Sequence, residues 1–215
     1  MDPGPLTPPV LCLVTPGTSS PDLDTIREAA RAGVDVIQVR EPRLDDRTLV
    51  ALVRAAIATV AGSGARVVVN DRLDVALAAR ADGVHLRGDS MAAADVRTLA
   101  PAGFIVGRSV HGVAEAVEVE RGGGCDYLVF GTVFESASKP PGHPAAGVDA
   151  LGRVCAAVTL PVLAIGGVTL ANADRVAAAG ASGIAAIGLF AGRERVAGTV
   201  RAVRRLFDTC YPQRT

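Results

Sequence analysis

Lysine occurs once in this chain, and that single occurrence marks a candidate site. Lys139 stands against 21 arginines and lies in a segment rich in serine and proline. An ammonium group differs from a guanidinium in shape and in how readily its pKa shifts, so a chain that otherwise uses arginine has a chemical reason to keep one lysine. Lys139 is therefore a candidate catalytic residue and a candidate contact to a phosphate; chance survival in a surface loop is the alternative.

Two glycine-containing steps near the end of the chain predict a phosphate-binding site. They are the Gly166-Gly167 pair and the Ile187-Gly188 step, and each follows or ends an apolar segment. Without a Cβ atom the main chain approaches an anion closely, and its N–H groups can donate to phosphate oxygens. Arg40 and Lys139 would add positive charge for a phosphate or a diphosphate. Simple tight turning is the alternative role of these glycines.

Asp71 and Asp89 are the candidate metal ligands. Hard cations such as Mg²⁺ bind carboxylate oxygens together with substrate phosphate oxygens, so the pair could hold Mg²⁺ beside a diphosphate. Asp71 could equally well cap a helix that begins at Arg72. The sequence leaves both roles open.

The three histidines are the candidate proton carriers, because imidazole titrates near neutral pH. His143 follows Lys139 by four residues and lies among prolines, and we take it as the candidate catalytic base, with a solvated loop position as the alternative. His111 is a candidate anion contact at the edge of the site. His85 falls inside an apolar segment, where a packing role suits it at least as well.

These residues meet only if the ends of the apolar segments meet. Eight unbroken segments rich in valine, isoleucine and leucine predict strands buried on both faces, and eight amphipathic stretches between them predict helices. The predicted strands span residues 10–14, 36–40, 66–70, 83–86, 104–109, 127–130, 162–165 and 183–187. The predicted helices span residues 23–32, 48–61, 72–80, 92–99, 113–121, 149–157, 170–179 and 196–206, with left-handed caps at Gly33, Gly62 and Gly180.

This alternation, at about 27 residues per unit, predicts an α/β fold made of a single (β/α)8 TIM barrel. We expect the barrel over residues 10–207, with tails at 1–9 and 208–215. An open doubly wound sheet is the alternative, but it carries a glycine-rich motif after its first strand, where residues 15–21 contain one glycine.

A site in such a barrel lies at the carboxyl ends of the strands. The long connection over residues 131–148 follows the sixth strand and has the length of a functional lid. The predicted binding residues are Gln38, Arg40, Asn70, Asp71, Ser109, His111, Thr132, Ser136, Ser138, Lys139, Gly166, Gly167, Ile187 and Gly188.

Composition excludes several classes of partner. The 22 basic and 22 acidic residues cancel, so no overall field attracts nucleic acid or an anionic membrane, and no apolar run has the length of a bilayer span. The four cysteines are far apart and predict core-filling thiols rather than a zinc site. We expect a cytoplasmic protein whose partner is a small molecule; a homo-oligomer is compatible with the sequence.

Six segments in order resemble the thiamine phosphate synthase and TenI superfamily. They are QVR (38–40), VNDRLD (69–74), GVHL (83–86), GRSVH (107–111), FGTVFESASK (130–139) and AIGGV (164–168), and they cover nearly the whole barrel. The resemblance implies a step of thiamine biosynthesis that acts on a thiazole phosphate, and it matches Ser136, Ser138 and Lys139 to the loop of the family that binds this substrate.

The superfamily has two chemistries. Synthases join a pyrimidine diphosphate to the thiazole phosphate with Mg²⁺, and the resemblance implies a lysine and a metal-binding aspartate where this chain has Pro42 and Ser90. TenI-like tautomerases aromatise a thiazole carboxylate phosphate by proton transfer and need no cofactor, but their catalytic histidine is Thr132 here. We favour the tautomerase, with the synthase as the alternative and a non-catalytic thiazole-phosphate-binding barrel as a further one.

Overall fold

Strands and helices alternate along the described chain, and the strands close into a barrel. The computed structural model describes residues 6–18, 21–136, 140, 142, 144–192 and 194–210. Within them lie eight parallel strands, each paired with the next and the last with the first: β1 (Val10–Val14), β2 (Val36–Val39), β3 (Arg66–Asn70), β4 (Gly83–Leu86), β5 (Ile105–Val110), β6 (Tyr127–Gly131), β7 (Val162–Ile165) and β8 (Gly183–Ala186). The helices are α1 (Leu23–Arg31), α2 (Asp46–Val60), α3 (Leu73–Ala79), α4 (Ala93–Leu99), α5 (Val113–Gly122), α6 (Gly147–Ala157), α7 (Ala173–Ala178) and α8 (Val196–Cys210). The predicted single (β/α)8 barrel is confirmed.

The barrel has two separate hydrophobic regions. Leu11 and Leu13 of β1 pack outward into the layer between strands and helices. The alternate residues fill the inside of the barrel: Val10, Cys12, Val14, Val36, Val68, Ile105, Tyr127, Val129, Leu163 and Ala185. Because successive side chains of a strand point to opposite faces, a strand buried on both faces is apolar throughout. No helix among the described residues is both long and apolar enough to cross a membrane.

One aromatic ring fills much of the barrel interior because its neighbour has no side chain. Tyr127 is fully buried and is paired with Gly107 in the register of β5 and β6. A Cβ atom on Gly107 would lie 2.1 Å from the Tyr127 ring. Glycine is therefore required at this position by packing, and the two residues form one unit of the core.

The ends of several helices differ from the predicted bounds where a side chain bonds to the main chain. α2 begins two residues early because the Asp45 carboxylate caps it, accepting the N–H of Thr48 at 2.9 Å. α7 begins three residues late, after a turn in which Asn172 Oδ1 accepts the N–H of Thr169 at 2.8 Å. α8 continues to Cys210. The three predicted left-handed caps are confirmed by positive φ angles at Gly33 (97°), Gly62 (81°) and Gly180 (90°).

A repeated aspartate ties the amino-terminal end of the barrel. Asp35, Asp82 and Asp126 each precede an even-numbered strand. Each bonds through its carboxylate and its own N–H to one residue of the preceding strand. The carboxylates accept from the N–H groups of Leu11, Val67 and Val106 at 2.7, 2.6 and 2.7 Å. The same device thus recurs before β2, β4 and β6, whereas Ser182 precedes β8.

α8 closes the barrel at that same end through one arginine. The Arg204 guanidinium donates to the carbonyl oxygens of Pro9 and Gly33 at 3.0 and 2.5 Å, and to Asp35 Oδ1 at 2.9 Å. These partners lie 169 to 195 residues away along the chain. Arg204 therefore joins the last helix to the first two strands.

Candidate functional site

Two amide side chains form a fixed pair at the carboxyl end of the barrel. Gln38 follows the inward-facing Val36 by two residues in β2 and is 4% exposed; its Nε2 donates to Oδ1 of Asn70 at 2.9 Å. Asn70 ends β3 and is half-buried. The hydrogen bond orients both amides, so these two predicted binding residues face the mouth of the barrel as one unit.

His85 lies inside the barrel and is held at both ring nitrogens. Its Nδ1 is 3.2 Å from the Tyr127 hydroxyl oxygen, and its Nε2 is 2.9 Å from Oγ of Ser109. Burial lowers the pKa of His85 to about 4, although the charge of Asp71 acts in the opposite direction. The ring is therefore neutral near pH 7, with one nitrogen donating and the other accepting. It orients the Ser109 hydroxyl at the end of β5 rather than carrying protons.

Tyr127 contacts the site through His85, and the sequence reasoning gave it no role. Its hydroxyl contacts His85, and burial raises its pKa well above the ordinary value for tyrosine. The sequence does contain a signal for it. Ile105, Gly107 and Ser109 are alternate positions on one face of a strand, and a glycine in the middle of such a face leaves space for a large ring on the next strand.

Asp71 faces the site and does not cap a helix. Its backbone is left-handed (φ 63°), and its N–H donates to the carbonyl oxygen of His85 at 2.8 Å. α3 begins one residue later than the capping hypothesis requires and has no side-chain cap, so that hypothesis is wrong. The Asp71 carboxylate instead accepts a hydrogen bond from the Ser90 hydroxyl and lies 3.5 Å from the guanidinium of Arg87.

Arg87 lies between the two carboxylates that the sequence offers as Mg²⁺ ligands. Its Nη1 is 3.5 Å from Oδ2 of Asp71, and its Nη2 donates to Oδ2 of Asp89 at 2.6 Å. Within the described part of the chain, no three His, Cys, Asp or Glu side chains converge to hold a metal ion. The donor set as arranged does not fit Mg²⁺, because a hard cation needs several oxygen ligands and both carboxylates already bind a cation of the protein.

A buried arginine of β5, to which the sequence reasoning assigned no role, holds the connection between β4 and α4. Arg108 is 9% exposed and donates to the carbonyl oxygens of Gly88, Ser90 and Met91 at 2.7, 3.1 and 2.8 Å. Three backbone acceptors satisfy the guanidinium in place of a carboxylate. The fold itself therefore fixes this connection, which carries Arg87 and Ser90.

The connection after β6 starts and ends at the barrel mouth. Phe134 donates its N–H to the carbonyl oxygen of Gly166 at 3.0 Å, and Ala146 donates to that of Thr132 at 2.8 Å. The guanidinium of Arg175 in α7 lies 5.3 Å from the centre of the Phe134 ring. These contacts anchor both ends of the connection beside β7.

The predicted residues of this connection are only partly within the described chain. Thr132 and Ser136 are half-buried near its first anchor. Ser138, Lys139 and His143 lie outside the described residues. Their proposed roles therefore continue to rest on the sequence.

The glycine pair after β7 is needed for packing between connections. Gly166 and Gly167 have φ angles of 98° and 64°. A Cβ atom on Gly167 would lie 2.2 Å from the carbonyl oxygen of Glu135, and one on Gly166 would lie 2.5 Å from Cγ2 of Thr132. This contact supports the tight-turning alternative for the pair. Gly188, by contrast, is exposed with open space around it and adjoins the half-buried Ile187, so phosphate binding at both steps stays a prediction.

Arg40 and His111 lie at the rim. Arg40 is exposed directly after β2, and its N–H donates to Oγ1 of Thr15 at 2.8 Å. The His111 side chain is 67% exposed, and its Nδ1 is 3.4 Å from Oε2 of Glu115 in α5. Beside Arg40 the structure places a buried acid, Glu41, which is 3% exposed and accepts an N–H from the connection after β1. No sequence signal distinguished Glu41 from a solvated carboxylate.

Comparison with known proteins relates this barrel to one family. A family model described as thiamine monophosphate synthase matches residues 11–190. A thiamine-phosphate synthase of Methanoculleus marisnigri is 42% identical over 190 residues, which is 88% of this chain and 90% of the relative. That of Chlorobium luteolum is 38% identical over 201 residues, 94% of each chain.

Solved structures give the same relation. A thiamine phosphate pyrophosphorylase from Pyrococcus furiosus superposes with a TM-score of 0.80 at 31% identity, covering 94% of this chain and 96% of that one. A 3-hexulose-6-phosphate synthase, with a TM-score of 0.65 at 21% identity, shares the fold alone.

Proposed function

The chain belongs to the thiamine monophosphate synthase family, and from that premise we propose that it joins a pyrimidine diphosphate to a thiazole phosphate. The thiazole nitrogen forms a bond to the carbon that carries the diphosphate, the C–O bond breaks, and the diphosphate leaves with the electron pair. Relatives that align with most of this chain bear the name of that activity, and this supports the synthase over the tautomerase favoured from the sequence.

The proposal rests on one observation: neither of the two histidines within the described residues is placed to transfer a proton. His85 is buried, bonded at both ring nitrogens and has a pKa lowered to about 4 by burial, while His111 faces Glu115 at the rim. Thr132 stands where the tautomerases have their histidine, and a hydroxyl without a neighbouring base is too weak to accept a proton at neutral pH. A displacement reaction needs no such base; it needs two oriented heterocycles and positive charge at the leaving diphosphate.

The candidate residues divide into an orienting set and an anion-binding set. The Gln38–Asn70 pair and the Ser109 hydroxyl offer pre-oriented polar groups for a heterocycle. Arg40 offers charge at the rim. The thiazole phosphate is assigned to Ser136, Ser138, Lys139, Gly166, Gly167, Ile187 and Gly188.

A tautomerase remains the second candidate because of two residues. Pro42 and Ser90 stand where the synthases carry a lysine and a metal-binding aspartate, and a tautomerase needs neither. In that case His143 would be the residue that transfers the proton, as the sequence proposes.

Product analysis separates the candidates. Purified protein is incubated with thiazole phosphate and pyrimidine diphosphate, with Mg²⁺ or with EDTA, and separately with the non-aromatic thiazole carboxylate phosphate; products are followed by chromatography and mass spectrometry. We expect thiamine phosphate and inorganic pyrophosphate from the first mixture. Aromatisation of the carboxylate without condensation would instead establish the tautomerase, and ligand binding without either product would establish the non-catalytic barrel.

A further inference from the structure

The connection between β4 and α4 places a guanidinium where the family resemblance implies a metal ion. The resemblance implies a metal-binding aspartate at position 90. This chain has Ser90 there, and its hydroxyl donates to Asp71 while accepting the N–H of Arg87 at 2.9 Å. The Arg87 guanidinium then contacts both Asp71 and Asp89.

We propose that Arg87 replaces the divalent cation at the diphosphate subsite, so that this protein binds the diphosphate without a metal ion. The identity of the anion rests on the proposed function, since a synthase must hold a diphosphate on this side of the thiazole. The position of the cation rests on the contacts of Arg87 alone.

The chemistry of the guanidinium suits this role. Arginine has five N–H donors in a planar fork that matches phosphate oxygens, and only Nη1 and Nη2 contact carboxylates here. Asp71 and Asp89 hold the fork from one side, which fixes its orientation before the ligand arrives. The side chain is 56% exposed, so its remaining donors are accessible from the mouth.

The net charge of the three groups determines how an anion enters. Asp71, Asp89 and Arg87 together carry one negative charge, so an anion can bind to the guanidinium only if one carboxylate moves away from it. Asp89 is the one that does, because its side chain is 71% exposed and an ion pair this exposed is weak. A diphosphate oxygen then takes the place of the Asp89 carboxylate on Nη2, while the less exposed Asp71 continues to hold Nη1.

The fold fixes Arg87 independently of any ligand. Arg108 binds three carbonyl oxygens of the connection, and Ser90 bonds both to Asp71 and to the Arg87 backbone. A carboxylate at position 90 would face Asp71 at hydrogen-bonding distance. Two carboxylates that close favour a bound cation, so one substitution should restore a metal requirement.

Isothermal titration calorimetry with inorganic pyrophosphate tests the proposal directly. We expect wild-type protein to bind pyrophosphate in EDTA with an affinity within about threefold of that in Mg²⁺, and Arg87→Gln to weaken binding at least about tenfold, the effect of losing a charge-assisted bond. Arg31→Gln is the matched control, because Arg31 is 68% exposed and paired with Glu28 on α1. Circular dichroism confirms that each variant is folded.

A gain of metal binding provides the second arm. We expect Ser90→Asp to bind Mn²⁺, detected by electron paramagnetic resonance without any substrate, at concentrations where the wild type does not. The proposal would be overturned if the wild type bound Mn²⁺ as well as Ser90→Asp does. It would also be overturned if pyrophosphate binding required Mg²⁺ and were unchanged in Arg87→Gln. Strictly Mg²⁺-dependent formation of thiamine phosphate would support the synthase activity and contradict metal-free binding of the diphosphate by Arg87. Pyrophosphate binding that needs Arg87 but no metal ion, in a protein that forms no thiamine phosphate, would support the role of Arg87 and contradict the synthase activity.

Discussion

A neutral histidine in the barrel interior makes stability depend on pH. The folded pKa of His85, about 4 because of burial, lies below its ordinary value near 6.5. Between these two values the unfolded chain binds a proton that the folded chain does not. Stability from His85 is therefore complete above pH 6.5 and is lost as pH falls toward 4, by no more than about 3 kcal/mol.

Urea unfolding at several pH values measures this dependence. We expect the free energy of unfolding to fall between pH 7 and pH 4.5 in the wild type, and to fall less steeply in His85→Gln, which cannot titrate. Equal slopes in wild type and His85→Gln would show that the buried ring is protonated in the folded protein.

Lys139 gives a prediction on activity alone. If its ammonium group binds the substrate phosphate, Lys139→Ala should lower kcat/KM by about 10- to 100-fold, corresponding to about 1.5–3 kcal/mol for a bond to a charged group. Unfolding free energy should change by only about a few tenths of a kcal/mol, as expected for a residue that the sequence places in a loop. Steady-state kinetics that match the wild type would contradict the assignment.

At the scale of single residues, the sequence located the strand ends but not the direction of each side chain. It placed Gln38, Asn70 and Ser109 at one end of the barrel because residues after parallel strands meet there, and their binding roles stay a prediction. It left His85 undecided, since a shift of one residue moves a side chain to the other face of a strand. Arg87 was given no role because a charged residue in a connection resembles a solvated one until its partners are known. Arg108 lies in β5, and its carbonyl partners in the connection after β4 are likewise not visible in the sequence.

At the scale of elements, strands were predicted more closely than helices. Four strands have the predicted bounds, β1, β3, β4 and β7, because burial on both faces makes a strand apolar throughout. Helix starts moved by up to three residues, since the cap at Asp45 and the turn closed by Asn172 depend on local geometry that periodicity does not contain.

The contact between the connections after β6 and β7 gives a prediction at this scale. Gly167→Ala combines a positive φ with a Cβ atom 2.2 Å from the Glu135 carbonyl oxygen, whereas Gly62→Ala has a positive φ and open space. We expect Gly62→Ala to cost about 1 kcal/mol from the left-handed backbone alone, and Gly167→Ala about 1–3 kcal/mol more from the clash. Denaturant unfolding compares the two.

Activity should separate these variants as well. Displacing the connection after β6 moves the residues assigned to the thiazole phosphate, so Gly167→Ala should also lower kcat/KM, while Gly62→Ala should leave it unchanged. Equal unfolding free energies and equal kinetics in the two variants would show that the connections adjust without cost.

At the scale of the whole molecule, closure depends on contacts between the two ends of the chain. Arg204→Ala removes donors to Pro9, Gly33 and Asp35, and leaves a carboxyl whose pKa burial already raises. We expect a loss of about 1–3 kcal/mol in unfolding free energy, discounted for partial exposure. Arg31→Ala, which breaks an exposed pair within α1, should cost less than about 0.5 kcal/mol. A loss from Arg204→Ala no larger than that of Arg31→Ala would contradict this role.

The overall architecture was predictable because eight apolar segments alternating with eight amphipathic ones allow few arrangements. The repeated aspartate before even-numbered strands was visible at Asp35, Asp82 and Asp126 but was not interpreted. Its meaning lies in a hydrogen bond to the neighbouring strand, and that pairing exists only once the register is known.

Closure of the first strand by the last has a consequence for how the protein is made. The ribosome synthesises β1 first and β8 near the end, and β1 pairs with β8 over Val10 to Leu13. One edge of the growing sheet therefore lacks its partner during nearly all of synthesis, and unpaired strand edges associate with other chains. Folding can be completed only after the chain has been released far enough for α8 to reach Pro9. A chain terminated before residue 183 should accumulate as an open sheet that aggregates.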